Sequence, residues 1–108
     1  MKPISFFLSV AVCTGIMTSP LFADVAKGQK WYTKECKSCH GNGTKGAGMH
    51  TQDEWDELFG NDNEQIIKKH IGTPAEAYFK GESFKNRSKD IRDFLFEYGS
   101  DSGNVPAC

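Results

Sequence analysis

Residues 36–40 read Cys-Lys-Ser-Cys-His, and no other feature constrains the chain as tightly. Two thiols separated by two residues can add to the two vinyl groups of one porphyrin. The histidine that follows is then held under the iron as its proximal ligand. This is the attachment pattern of a c-type haem. A covalently held macrocycle is a large apolar plate, and a short chain that carries one must wrap it. The plate also acts as the staple that a small domain needs when its own core is thin.

The N-terminus places this pattern in a compartment. Lys2 supplies a short positive region, and residues 4–17 form a mostly apolar run. Thr18-Ser19-Pro20-Leu21-Phe22-Ala23 then resembles the end of a secretory leader. Cleavage is expected after Ala23, so residues 1–23 form the signal peptide and the mature protein is periplasmic. Leu21 at the minus-three position is not the small residue that such sites prefer, so the cut can slip. Lipid attachment at Cys13 and an uncleaved anchor are the rival readings. Val12 fits poorly before a lipidated cysteine, and the apolar run is short for a span.

Residues 24–99 are expected to form one domain, followed by a polar tail over residues 100–108. Lys and Arg number 13 against 14 Asp and Glu, for a formal net charge of −1. A nucleic-acid partner would show as a clustered basic excess, which is missing here. A second apolar run is also missing, so stable membrane insertion after cleavage is not expected. Of the four cysteines, Cys36, Cys39 and Cys108 lie beyond the leader. A thioredoxin-like reading of the pair needs a βαβ context, and strand periodicity is not evident. A zinc site would need Cys108 as a ligand. One covalent haem c is the reading that uses the whole motif.

Helical spacing recurs in the chain. Val25, Gly28, Trp31, Tyr32 and Cys36 predict a first helix over residues 25–38. Gly28 inside it is unfavourable by about 1 kcal/mol relative to Ala, which points to another backbone passing close by. Ile91, Phe94, Leu95 and Tyr98 form one face of a last helix over residues 88–98, with Ser88 as its cap and Gly99 as its stop. The two are expected to cross, bringing Gly28 and Tyr32 against Phe94 and Tyr98. Residues 41–48 hold four of the eleven glycines and read as a loop. Short helices are expected over residues 52–59, capped by Thr51, and over residues 63–71, with a turn at Gly60-Asn61-Asp62-Asn63. Residues 75–87 give no clear pattern, but Tyr78, Phe79 and Phe84 are candidates to line a haem pocket.

Gly28, Tyr32, the C-x-x-C-H segment, the glycine-rich loop and an aromatic last helix together resemble a class I monohaem c-type cytochrome. Gly46-Ala47-Gly48 followed by Trp55 is similar to the small bacterial cytochromes of the c5 kind. The resemblance implies an all-α shell with crossed terminal helices around one covalently bound haem. It also implies an exposed haem edge for electron transfer.

The chain departs from this family on the other side of the iron. Class I cytochromes usually offer a methionine from the loop before the last helix, yet residues 73–87 contain neither Met nor His. Three arrangements stay open. His70 lies 30 residues past His40, far enough to reach the opposite haem face as a distal ligand; otherwise it is a pocket-wall or surface residue. Met49 or His50 can reach the iron if the glycine loop folds over. Failing these, the iron is five-coordinate or weakly bound by water or Asn86, which shifts the function toward ligand binding.

Other residues have quieter expectations. The Trp55 indole, Arg87 and Arg92 are candidate propionate donors, against the plainer readings of a core tryptophan and a solvated helix face. Lys27, Lys30, Lys34, Lys37 and Lys45 surround the attachment segment and can form a docking rim for an acidic redox protein, or simply be surface. The function expected is one-electron transfer between periplasmic redox proteins rather than enzymatic turnover. The alternatives are a haem-based sensor with an open sixth site and the electron-accepting subunit of a periplasmic oxidoreductase.

Overall fold

A computed structural model describes residues 20–107, which are helical with no strand among them. The core of the expected leader, including Cys13, and the terminal Cys108 lie outside the described residues. The elements are α1 (Pro20–Glu35), α2 (Lys37–His40), α3 (Gly43–Ala47), α4 (Gln52–Lys68), α5 (Glu76–Phe79) and α6 (Glu82–Glu97). This is the all-α architecture expected above, with the first and last helices packed together. None of these helices is long and apolar enough to cross a membrane.

The first and last helices cross at Gly28. A β-carbon there would meet the Asp90 carbonyl and Phe94, so glycine is what permits backbone-to-backbone contact. Tyr32 and Phe94 pack one turn further on, with ring centroids 5.5 Å apart. Phe94 in turn touches Tyr98. Tyr32, Phe84, Ile91 and Phe94 are the largest fully buried side chains. They join Trp55, Leu58, Ile66 and Leu95 in a single core.

Several boundaries differ from expectation: α1 begins at Pro20, ahead of the expected start at residue 25, and α4 ends at Lys68 rather than at residue 71. The first helix does not run on to residue 38: it stops at Glu35, and Cys36 (φ −115°) separates it from the single turn α2. Hydrogen bonding continues across the step, from Cys36 N–H to the Tyr32 carbonyl at 2.8 Å and from His40 N–H to the Cys36 carbonyl at 3.0 Å. Gly41, at φ +84°, ends the turn. The last helix begins at Glu82, not at Ser88, and Gly81 occupies its N-cap. Ser88 is buried mid-helix and donates its hydroxyl to the Lys85 carbonyl at 3.1 Å. A serine that caps in isolation is a tolerated small residue when Phe84 and Ile91 on the same face supply the burial.

The middle of the chain follows the expected plan with one refinement. Thr51 and Glu54 form a reciprocal capping box at the start of α4. The turn at residues 60–63 breaks α4 into two helical pieces. Asn61, Asp62 and Asn63 all adopt positive φ, at 51°, 56° and 64°, and short side chains of this kind tolerate that region best. The glycine-rich loop contains the short helix α3, capped by the Asn42 side chain. The tail is irregular but docked: Pro106 is buried beside Gly43, and the Gln29 side chain donates to the Ala107 carbonyl.

Candidate cofactor site

The C-x-x-C-H segment sits where α1 gives way to α2, across the helix break at Cys36. Cys36 is half-buried, while Cys39 is exposed, and both are free thiols. Burial pushes the Cys36 thiol up to about 11, and Glu35 and Cys39 add to the effect. Among the described residues no three His, Cys, Asp or Glu side chains gather to hold a metal ion.

Beside this segment lies a cavity of about 230 Å³ with almost entirely apolar walls. Tyr32, Trp55, Leu58, Phe79 and Phe84 are among its lining residues, and Cys36, His40 and His70 reach it as well. A second cavity, of about 300 Å³, shares Cys36, His40, Lys69, His70 and Phe79 with the first and adds Cys39, Thr73 and Pro74. The donor set therefore comprises two free thiols and two imidazoles around apolar, aromatic-walled space. That chemistry fits a haem c, with its apolar ring, two vinyl groups and iron in need of nitrogen ligands.

The two imidazoles approach each other. The His40 and His70 ring centroids lie 6.1 Å apart with planes at 85°. Burial, and then the proximity of His70, lower the His40 pKa and favour its neutral form. His70 is held from two sides. Its Nδ1 lies 2.7 Å from the Ile66 carbonyl; a carbonyl only accepts, so Nδ1 carries the proton and donates. Its ring stacks on Phe79, centroid to centroid at 3.8 Å and 12° from parallel. The helical spacing of Ile66 and His70 (i, i+4) brings carbonyl and ring together as the chain leaves α4. Phe79 comes from α5, inside the segment that showed no pattern in the sequence.

Met49 and His50 also line the first cavity. Met49 is 47% exposed. His50 packs edge-on against Trp55 at 4.8 Å and faces Glu54 at 3.5 Å. Asn86 is exposed on α6. Of the pocket aromatics expected, Phe79 and Phe84 line the cavity, whereas Tyr78 is outside the first wall.

The candidate propionate donors have protein partners. The Trp55 indole donates to the Ala47 carbonyl at 2.8 Å. Arg92 pairs with Asp56 and with Asp93. Arg87 lies over the Trp31 ring at 4.0 Å and faces Glu35 at 3.7 Å. The Trp55 contact matches the plainer reading of a core tryptophan, whereas Arg87 and Arg92 are partly buried and paired with carboxylates rather than lying on a freely solvated helix face. Lys27, Lys30, Lys34, Lys37 and Lys45 are all exposed.

A protein-family model described as "Cytochrome C oxidase, cbb3-type, subunit III" matches residues 23–86, more than half of the chain. No curated protein and no solved structure matches it.

Proposed function

Because the chain belongs to the cytochrome c family represented by cbb3-type oxidase subunit III, we propose that it is a periplasmic carrier moving one electron at a time through a single haem c. The family is one of class I c-type cytochromes, so covalent haem and haem-based electron transfer come with membership. The finer reading is ours. Cys36 and Cys39 form the thioether links, His40 ligates the iron, and residues 1–23 are a leader removed on export. The observation that carries it is the placement of both thiols and His40 in one turn beside an apolar cavity.

When bound, the haem supplies the redox change; the chain supplies the holder and the environment. The apolar walls exclude water and so disfavour extra charge on the iron centre. Exposed Cys39 would hold its side of the haem near solvent, where electron exchange with a partner is possible, and the five exposed lysines suit an acidic redox partner. The family's printed description names an oxidase subunit, which favours a second reading: this domain is the electron-accepting subunit of a periplasmic oxidoreductase. The chemistry is the same in both, and only the partner differs.

The test is expression with periplasmic haem maturation, followed by haem staining on a denaturing gel and a one-electron redox titration. One haem per chain is expected, retained on denaturation and lost from the gel band in a Cys36→Ala, Cys39→Ala double variant. A chain that folds fully and stably without haem would sink the reading.

A further inference from the structure

We propose that His70 is the second axial ligand of the haem iron, giving a six-coordinate bis-histidine site in place of the methionine that class I cytochromes usually provide. This inference rests on the haem c reading above and specifies the side of the iron that the attachment motif leaves open.

The ring separation is the first argument. A ligating imidazole nitrogen lies about 2 Å from a transition metal and about 1 Å from its own ring centre, so two rings sharing one ion have centres about 6 Å apart. His40 and His70 are 6.1 Å apart. A surface histidine at a helix end has no reason to hold that distance from the proximal histidine. His70 does so while lining both cavities, the first of which reaches Cys36 and the second both thiols.

The orientation of His70 is the second argument. The Ile66 carbonyl takes the Nδ1 proton, which leaves Nε2 as the nitrogen with a free lone pair. Metal-bound histidines are commonly fixed in this way, with the remote N–H on a carbonyl that sets the tautomer and raises basicity. The Phe79 ring, stacked at 3.8 Å, restricts rotation of the imidazole. Ile66 and Phe79 are therefore positioning residues for His70. The rivals are placed less well. Met49 lines the first cavity but is nearly half exposed, His50 is engaged by Trp55 and Glu54, and Asn86 is exposed on α6.

Two consequences follow from bis-histidine ligation. The sixth position is closed to small exogenous ligands. The potential is lower than the same site would have with methionine, since Met/His ligation raises it.

Optical and EPR spectra of the ferric holoprotein test the assignment. The wild type is expected to be low-spin. His70→Ala is expected to lose the low-spin signal, and its reduced form to bind carbon monoxide at least tenfold faster. Added imidazole should restore the low-spin spectrum to that variant. If His70→Ala does not accumulate, His70→Met serves instead; it should remain low-spin with a midpoint potential above that of the wild type. A high-spin wild type, a low-spin spectrum unchanged in His70→Ala, or a potential unmoved in His70→Met would overturn the proposal. Haem staining of the same samples separates the two levels. Haem absent from the wild-type band defeats the haem c reading itself, whereas haem present with an unaltered His70→Ala spectrum defeats only the ligand assignment.

Discussion

Gly28 and the Asp90 carbonyl oxygen approach so closely that a β-carbon on Gly28 would stand 1.9 Å from that oxygen. The same carbon would lie 2.7 Å from the Phe94 β-carbon. Neither neighbour is a flexible side-chain end, so α1 and α6 would have to separate. Gly28→Ala ordinarily favours a helix by about 1 kcal/mol. Here the sign reverses, and overpacking should destabilise the holoprotein by about 1–3 kcal/mol. Thermal melting checks this; a melting temperature at or above that of the wild type would refute it.

Tyr32 should control the alkaline limit of stability. Its buried hydroxyl donates to the Gly41 carbonyl at 2.7 Å and to the Asn42 carbonyl at 3.2 Å. Burial, with a smaller contribution from Cys36, pushes its pKa up to about 12, against an ordinary value of about 10. A raised phenol pKa means that its stabilising contribution is complete below about pH 10 and is lost as pH rises through about 12. Tyr32→Phe should flatten that alkaline decline. It should also cost about 1 kcal/mol at neutral pH by removing the hydroxyl from its carbonyl partners. Urea titrations at several pH values provide the measurement, and an unchanged alkaline slope in the variant would contradict the assignment.

Trp55 is expected to matter through its indole N–H as well as its bulk. The bond to the Ala47 carbonyl is buried at 2.8 Å, and Ala47 itself is fully buried. Trp55→Phe keeps an aromatic ring but leaves that carbonyl unpaired, at a cost of about 1–3 kcal/mol. Haem attachment should persist, because no thiol or imidazole ligand is touched. Chemical denaturation with haem staining of the same samples distinguishes these effects.

The capping box at α4 gives a prediction on the acid side. The Glu54 carboxylate accepts from the Thr51 N–H at 2.9 Å, and this bond, the largest influence on it, lowers its pKa. A lowered carboxyl pKa contributes stability that is present above its ordinary value and lost as pH falls through the lowered one. Thr51→Ala should cost about 1 kcal/mol at neutral pH, and Glu54→Gln should weaken the dependence on acid pH. Equal acid denaturation curves for Glu54→Gln and the wild type would refute the second part.

Local chemistry was readable wherever one residue type carries one strong preference. The Thr51 cap, the Asn-Asp-Asn turn at residues 61–63 and the stop at Gly99 depend on hydrogen bonds and backbone dihedrals within a few positions. Gly28 was readable for a related reason: a glycine inside a helical pattern calls for a close neighbour. Ser88 misled because a capping preference is weak beside the burial of Phe84 and Ile91 on the same face. The α5 segment carried no periodic signal because a single helical turn is too short to show one. Trp55, Arg87 and Arg92 were legible as donors but not as to their partners, since Ala47, Asp56 and Glu35 come from elements whose relative placement the sequence does not state.

The proposed covalent chemistry was legible in the sequence by itself. Cys36, Cys39 and His40 lie within one five-residue segment, so their relative placement is set by a single turn of backbone. The residue facing His40 belongs to a different class of question. His70 is 30 positions away, and nothing in that spacing distinguishes a ligand from a surface residue. Only the tertiary structure brings its ring to 6.1 Å from His40, with the Ile66 carbonyl on one nitrogen and Phe79 against one face. The reason is physical: long-range approach depends on how α4 and α5 pack against α6 around the apolar cavity, and packing is a property of the assembled core rather than of any segment.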